Sequence, residues 1–230
     1  MTDISATKTL YCIRHGESTY NEWRLRSLWS FSWMWVRDPM IVDAPLSTMG
    51  HKQVAKLHEL IQSTHLDKKI QVIITSPLTR AIETAIGVFP ATNVPIIVDP
   101  LCREMLDTAC DVGRVPTELA QHFVAQQDID FSKLNSTWWL NDGAGGPSNA
   151  SRATIVAPKT PNEVLPLRES QEDLDARIRD FVTKLEERPE QHIAVVGHSS
   201  YFKRMLGMNR KLHNCELYEV SFAQIRLRCA

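Results

Sequence analysis

The chain lacks the cysteine patterns of a metal site. Its five cysteines are odd in number and contain neither a Cys-x-x-Cys pair nor the spacing of a zinc-ligand set. They are Cys12, Cys102, Cys110, Cys215 and Cys229. We therefore expect mostly buried free thiols in a reducing compartment, and we expect no metal ion and no cofactor.

Long apolar runs and an excess of charge are also missing. No stretch approaches the ~18 consecutive apolar residues of a membrane-spanning helix, and the start, Met1-Thr2-Asp3, does not resemble a signal peptide. These absences predict a cytoplasmic protein that binds no membrane. The formal net charge of -1 gives no general attraction to nucleic acid, so any recognition of anions must be local.

Glycine-rich phosphate loops are absent as well. Residues 142–148 form a glycine cluster without the Gly-x-x-x-x-Gly-Lys-Ser/Thr pattern, which favours a flexible loop over a phosphate cradle. With 230 residues, 43% of them hydrophobic and 23% charged, the chain can bury a substantial core. We interpret residues 1–230 as a single domain with cap-like insertions at about 22–44 and 105–168.

Apolar runs rich in β-branched residues predict four buried strands, at residues 10–13, 70–75, 95–99 and 193–197. Apolar residues at helical spacing predict a helix that begins near residue 47 and further helices over 78–89, 115–126, 169–187 and 201–206. Two more strands, 215–222 and 225–229, are predicted as a terminal hairpin at a sheet edge.

Residues 17–48 contain four of the six tryptophans: Trp23, Trp29, Trp33 and Trp35. Tryptophan usually buries its ring, so one interpretation is that these rings pack a long loop against the domain or meet a partner subunit. The other is an aromatic wall beside the binding site that selects a bulky or apolar leaving group. The sequence thus leaves a homodimer open.

Polar residues of the kinds that phosphoryl transfer needs follow the predicted strands. Arg14-His15, Arg80, Glu104 and His198 each come at or soon after a strand end, where open α/β sheets bind ligands. Guanidinium groups are planar donors suited to phosphate oxygens and stay charged at any working pH. Imidazoles can act as nucleophile and donor, and a carboxyl group can transfer the proton of the leaving group.

Four stretches resemble the histidine phosphatase superfamily, the proteins with a phosphoglycerate-mutase-like fold. They are Arg-His-Gly-Glu-Ser at 14–18, Pro-Leu-Ser-Thr-Met-Gly at 45–50, Thr-Ser-Pro-Leu-Thr-Arg-Ala-Ile-Glu-Thr-Ala at 75–85 and Val-Gly-His-Ser at 196–199. The resemblance implies an α/β fold. It would be a three-layer α/β/α sandwich whose mostly parallel central sheet has an antiparallel edge strand, with an inserted cap region.

The resemblance also implies roles for individual residues: His15 as nucleophile, Arg14, Arg80 and His198 as the phosphate pocket, Asn21 as a further phosphate contact, and Glu104 as general acid and base. Asp107 and Asp111 are the alternative proton donors. The implied enzyme is a phosphomonoester hydrolase of the metal-independent, histidine acid type. Its substrate would be a small-molecule phosphate ester or a phosphoprotein.

Physical chemistry adds expectations about the histidines. As a nucleophile His15 must be neutral, and the neighbouring arginines favour that form because they disfavour imidazolium. Its second ring nitrogen is expected to donate to a backbone carbonyl such as that of Gly16. A cationic His198 and the N–H groups near Ser199 are expected to join the arginines around the phosphate.

The chain departs from the mutase branch directly after Glu104. Mutases resemble one another in a Glu-Arg-x-Tyr-Gly run that continues into basic residues for a second charged group, whereas residues 104–114 here contain added aspartates. Only Arg103 and Arg114 remain as cations for such a second site. We therefore favour a phosphatase, with a phosphoglycerate mutase and a weakly active protein-interaction member as the alternatives.

Overall fold

The structure is a computed structural model that describes residues 8–90, 93–126, 128–140 and 157–229. Within them one sheet has the strand order β4-β3-β2-β5-β1-β6. Its strands are β1 (Thr9–Arg14), β2 (Val72–Thr75), β3 (Ile96–Val98), β4 (Ile129–Asp130), β5 (His192–Gly197) and β6 (Leu217–Ser221). All neighbouring pairs are parallel except β1 with β6. The predicted sheet with its antiparallel edge strand is confirmed.

The helices cover both faces of this sheet. They are α1 (Thr19–Ser30), α2 (Thr48–Ser63), α3 (Thr79–Val88), α4 (Pro116–His122), α5 (Pro161–Val164), α6 (Gln171–Glu187), α7 (Ser199–Met205) and α8 (Phe222–Cys229). Short 3-10 turns lie at Ser32–Met34, Leu66–Lys68, Pro100–Cys102, Ala109–Asp111 and Leu165–Leu167. No helix among the described residues has both the length and the apolar character needed to span a bilayer.

Alternation along β1 explains the three layers. Leu10 and Cys12 belong to the cluster that α6, α7 and α8 cover, whereas Tyr11 and Ile13 belong to the cluster under α2 and α3. Because successive side chains of a strand point to opposite faces, a strand that is apolar throughout must be covered on both sides. The predicted α/β/α sandwich is confirmed.

The C-terminal prediction is half right. Residues 217–221 form the edge strand β6, but the second predicted strand is wrong, because Phe222–Cys229 is helix α8. Phe222 and Ile225 lie three residues apart and are both buried in the core cluster beside α6 and α7, as one face of a helix requires. So short an apolar run does not distinguish helix from strand until its packing partner is known.

Residues 105–126, 128–140 and 157–168 pack around a third apolar cluster beside α3. Trp138 and Trp139 are both 2% exposed there, and Trp138 Nε1 donates to the carbonyl of Arg114 (2.8 Å). The helix predicted over 115–126 covers only Pro116–His122, with proline at its first turn. The glycine cluster of 142–148 lies outside the described residues.

The tryptophan-containing segment is not a packed loop. It forms α1 and the 3-10 turn Ser32–Met34, and the rings of Trp29 and Trp35 are 82% and 84% exposed. The interpretation that the rings pack a loop against the domain is therefore wrong for Trp29, Trp33 and Trp35, whereas Trp23 is half-buried beside the ring of Tyr20. The alternative of a partner subunit stays a prediction. Burial statistics describe the average tryptophan, whereas Trp29 and Trp35 expose most of their surface to solvent here.

Candidate active site

The parallel strands β1, β2 and β5 end at the same edge of the sheet. The backbone N–H of His15 donates to the carbonyl of Gly197 (3.0 Å), and that of Ser76 donates to the carbonyl of Val196 (3.0 Å). The residues that follow β1 and β2 are thus hydrogen-bonded to the last two residues of β5. This edge is where parallel α/β sheets place their ligand sites.

His15 is buried and its ring orientation is set by a backbone contact. Its Nδ1 lies 2.6 Å from the carbonyl oxygen of Gly16. A carbonyl oxygen only accepts, so Nδ1 carries the hydrogen and Nε2 keeps its lone pair. The expected contact with Gly16 is confirmed.

The protonation state of His15 follows from its surroundings. Burial lowers the pKa of His15 well below 6.5, and the charges of Arg80 and Arg14 lower it further. Burial is thus a larger cause than the arginines on which the expectation rested. Near neutral pH the ring is neutral.

The turn after His15 is held from three sides. The Asn214 side-chain amide donates to the His15 carbonyl (3.0 Å), and the hydroxyl of Ser47 donates to the Glu17 carboxylate (2.7 Å). A Cβ placed on Gly16 would lie 2.9 Å from the carbonyl oxygen of Gly50. Glycine is therefore required at position 16 for the close approach of α2.

Arg80 lies in the first turn of α3 and is buried. Its Nη2 pairs with Oδ1 of Asp111 (2.9 Å), and its Nη1 donates to the carbonyl of Cys110 (2.6 Å). Burial raises the pKa of Asp111, and the Arg80 charge opposes that rise. The pair fixes the direction of the guanidinium in the site.

Arg14 is half-buried at the end of β1. Its Nη1 donates to the carbonyl of Leu212 (2.6 Å). Its Nε is buried and has no hydrogen-bond partner among the described residues. An unpaired buried donor of a cation is costly, so Arg14 has donor capacity left for an anion.

His198 follows β5 and lies beside His15, with the two ring centroids 5.0 Å apart. Its Nε2 is 2.7 Å from the hydroxyl oxygen of Ser76, and its buried Nδ1 has no partner within the described part of the chain. Burial lowers the pKa of His198 well below 6.5, and Arg80 lowers it further. Both causes favour a neutral imidazole. The cationic His198 was expected beside a bound phosphate, and that expectation stays a prediction.

Glu104 is half-buried at the first turn of α7. Its carboxylate accepts from the backbone N–H groups of Met105 (3.0 Å), Ser200 (3.2 Å) and Tyr201 (3.1 Å). Burial, followed by the charge of Asp111, raises the pKa of Glu104 despite these hydrogen bonds. The N–H groups just after Ser199, which were expected to face phosphate, are thus partly occupied by Glu104.

Of four other predicted site residues, three have structural partners and the fourth, Ser199, is buried. The side chain of Asn21 accepts from the N–H of Ser18 in the capping box of α1, and Ser199 is the buried first residue of α7. Arg114 pairs with Asp43 (3.1 Å). Buried Arg103 bonds to the carbonyls of Trp139 (3.3 Å) and Pro100 (3.1 Å) and pairs with Glu169 (3.3 Å).

A buried ion-pair network supports the chain just before Glu104. Arg177 of α6 forms two hydrogen bonds to the carboxylate of Glu169 (2.8 and 2.6 Å) and donates to the carbonyls of Leu101 and Arg103. These contacts hold the main chain that leads into Glu104. No motif marked Glu169 or Arg177, because Glu169 looks like an ordinary charged residue before an amphipathic helix and Arg177 like one within it.

Ser76 and Asn214 were also missed, for different reasons. Ser76 directly follows β2, a position of the kind that identified the other site residues. It was not singled out, because a serine before a proline is typical of a turn. Asn214 lies in an irregular stretch without any pattern. Among the described residues, no three His, Cys, Asp or Glu side chains come together as a metal site would require.

The arrangement therefore combines a neutral imidazole with a free Nε2, two guanidiniums, a second neutral imidazole and a carboxyl group whose pKa is raised. These are the kinds of group that phosphoryl transfer through a histidine nucleophile requires. The chain belongs to the histidine phosphatase superfamily, branch 1, whose family model matches residues 10–145.

Individual relatives agree with this assignment. Phosphoglycerate mutase-like protein 1 of Arabidopsis thaliana is 27% identical over 258 aligned positions, which cover 91% of this chain and 79% of the plant protein. The structure of an α-ribazole phosphatase from Shigella flexneri is similar with a TM-score of 0.54 at 20% identity, covering 92% of this chain and 89% of that one. A mycobacterial glucosyl-3-phosphoglycerate phosphatase has a TM-score of 0.51 at 20% identity, with 93% and 92% covered.

Proposed function

We propose that the protein is a phosphomonoester hydrolase that forms a phosphohistidine on His15 and uses Glu104 as general acid and base. The observation that carries this proposal is the 2.6 Å contact from His15 Nδ1 to the Gly16 carbonyl, which leaves Nε2 as the nucleophile. Membership of the superfamily supports the same chemistry. The substrate class is a small-molecule phosphate ester or a phosphoprotein.

In the first step Nε2 of neutral His15 attacks phosphorus, and the bond between phosphorus and the ester oxygen breaks. Protonated Glu104 gives its proton to the departing alkoxide. Arg14 and Arg80 neutralise the charge on the equatorial oxygens, and a neutral His198 has one N–H to donate to them. Little reorganisation is needed, because Asp111 and the Leu212 carbonyl already orient the guanidiniums.

In the second step the Glu104 carboxylate takes a proton from water, whose oxygen attacks phosphorus while the phosphorus–nitrogen bond breaks. Inorganic phosphate leaves, and both neutral His15 and protonated Glu104 are restored. The raised pKa of Glu104 favours the protonated form that the first step needs. The three N–H donors at its oxygens stabilise the carboxylate between the two steps.

Two observations favour hydrolysis over mutase chemistry. A mutase must bind the second charged end of a bisphosphate, and Arg103 and Arg114 were the candidate cations for that site. Arg103 is buried against Glu169 and Arg114 pairs with Asp43, so both charges already have partners.

The chain's own residues supply nucleophile, proton donor and charge, which supports a metal-independent reaction. Four free thiols, at positions 12, 102, 110 and 215, support a cytoplasmic location.

The test is a phosphate-ester panel run in parallel on the wild type, His15→Ala and the surface control His51→Gln. We expect His15→Ala to lose hydrolysis of every ester and His51→Gln to retain it. Quenching the wild-type reaction in base should trap phosphate on His15, which peptide mass spectrometry would locate. Full activity in His15→Ala would overturn the mechanism.

A further inference from the structure

The strongest unexplained feature of the molecule is an exposed apolar surface. We define the tryptophan surface as the exposed apolar side chains of residues 25–36. It consists of Leu25 (52% exposed), Leu28 (54%), Trp29 (82%), Phe31 (62%), Trp33 (51%), Met34 (54%), Trp35 (84%) and Val36 (41%). Monomeric proteins rarely expose contiguous apolar patches of more than roughly a few hundred Å², and larger ones mark interaction sites.

The helical part of this surface has an exposed apolar side, which Glu22 borders one turn earlier. At about 100° per residue, Leu25, Leu28 and Trp29 share one side of α1 and point into solvent. Ser27, the buried residue of the helix, lies on the opposite side. Arg24 and Arg26 are exposed and border the apolar side on its two flanks.

Charge in this segment has one sign. Residues 23–37 contain three arginines, Arg24, Arg26 and Arg37, and no acidic residue, within a chain whose formal net charge is -1. Arg26 pairs with Glu22 at 2.7 Å, but the arginine side chain is 78% exposed, and such surface pairs are weak. The segment therefore combines outward apolar rings with local positive charge.

From these observations we propose that the tryptophan surface binds the interfacial region of an anionic phospholipid bilayer. Tryptophan and arginine side chains suit this region, because an amphipathic ring or a long cationic stem spans the boundary between acyl chains and headgroups. An interfacial helix combines Trp, Phe and Leu on the buried side with cations that meet anionic headgroups. This surface has both.

A second copy of the chain fits less well. A symmetric dimer through this surface would bring two sets of the same three arginines together. The carboxylates that flank the segment already have partners, because Glu22 pairs with Arg26 and Asp38 accepts from the backbone N–H groups of Met40 and Ala109. Like charges that face each other oppose association. The absence of a membrane-spanning helix among the described residues does not bear on a helix that lies in the interface.

The consequence concerns where the proposed phosphatase site works. Helix α1 begins at Thr19, four residues after His15. Binding through the far end of α1 would hold the site within about 20 Å of the lipid surface, since twelve residues of helix span roughly 18 Å. Phosphorylated molecules at a membrane surface would then be close to His15.

The experiment is flotation of the whole protein with vesicles, and its readout does not depend on catalysis. We expect the wild type to float with vesicles of phosphatidylcholine mixed with phosphatidylserine, and much less with phosphatidylcholine alone. The double variant Trp29→Ala/Trp35→Ala should partition at least about tenfold more weakly, because each ring loses its burial in the interface. Both residues are exposed, so the variant should fold and keep its activity on a soluble aryl phosphate.

Matched controls separate this surface from general stickiness. Val124→Ala/Leu227→Ala removes two apolar side chains that are 79% and 83% exposed elsewhere and should leave flotation unchanged. Arg24→Glu/Arg37→Glu should abolish the preference for anionic vesicles, whereas Lys52→Glu/Lys56→Glu, the same charge change on α2, should not. Added salt should weaken wild-type binding.

The proposal is overturned if the wild type stays with the unbound fraction, or if both apolar double variants float equally. Equal flotation on neutral and anionic vesicles would also overturn it. Sedimentation velocity covers the remaining alternative: a wild-type dimer that Trp29→Ala/Trp35→Ala converts to monomer, without vesicle binding, would assign the surface to self-association. Full activity in His15→Ala with unchanged flotation would overturn the proposed mechanism and leave this inference standing, so the two proposals fail separately.

Discussion

Arg80 and Asp111 form a buried ion pair, with 2.9 Å between Nη2 of the guanidinium and Oδ1 of the carboxylate. Their side chains are only 4% and 7% exposed. Asp111 lies in the stretch after Glu104 where the chain departs from the mutase pattern. The stretch after Glu104 therefore contributes to the candidate site, because its Asp111 fixes the position of the Arg80 guanidinium.

Replacement of Asp111 should destabilise the protein. Asp111→Ala leaves the Arg80 charge buried without its carboxylate, so the free energy of unfolding should fall by about 3 kcal/mol. The control is Asp107→Ala, which removes a carboxylate that is 60% exposed and pairs with Arg168 at the surface; it should cost less than about 1 kcal/mol. Urea denaturation of both variants checks this. An equal decrease in the free energy of unfolding of both variants would show that the buried pair of Arg80 and Asp111 stabilises the protein no more than the surface pair does.

The proton donor can be tested with leaving groups of different basicity. Glu104→Gln keeps the shape of the side chain but cannot give up a proton, so hydrolysis of alkyl phosphates should slow by ~100-fold or more. Activated aryl phosphates need no protonation and should slow much less. Exposed Glu118→Gln should match the wild type on both. Equal losses on the two substrate classes would rule out the acid role of Glu104.

Stability should decrease as pH falls below 6.5. The pKa values of His15 and His198 are lowered well below 6.5 in the folded protein, so in that range the unfolded chain binds protons that the folded chain does not. Each histidine then contributes a slope of up to about 1.4 kcal/mol per pH unit, and the loss ends once pH falls below its folded-state pKa.

Denaturation of the wild type, His198→Asn and His51→Gln across this range measures that slope. The free energy of unfolding of His198→Asn should depend less steeply on pH than that of the wild type, because this variant lacks one of the two imidazoles whose pKa is lowered. Surface His51→Gln should retain the full slope. A slope in His198→Asn as steep as that of the wild type would contradict the assignment of a buried neutral imidazole at position 198.

Much of the fold and of the site follows from local pattern. The apolar runs around Leu10 and Val195 identify buried strands, and parallel strands in one sheet must end at the same edge. Residues that directly follow such strands, such as His15 and His198, are therefore placed together without any knowledge of packing. The contact of His15 with Gly16 is equally local, because it joins neighbouring residues.

Other features depend on partners that lie far away in the chain. The ion pair of Arg80 with Asp111, the hydrogen bonds of Glu104 to the first turn of α7 and the network of Glu169 with Arg177 join segments that no periodicity links. Arg103 is a further example. Its position in the sequence made it a candidate for binding a second charged group of the substrate, but inside the domain its guanidinium pairs with Glu169.

The sequence by itself determined the sheet, its strand-end histidines and arginines, and the family, because these depend on apolar periodicity and on residues adjacent to strands. Only the tertiary structure decided that burial lowers the pKa of His198, that residues 222–229 are helical and that Trp29 and Trp35 face solvent. The degree of burial sets the pKa of an imidazole, decides whether a short apolar run is helix or strand, and decides whether a ring faces solvent. It is a property of the packed chain as a whole.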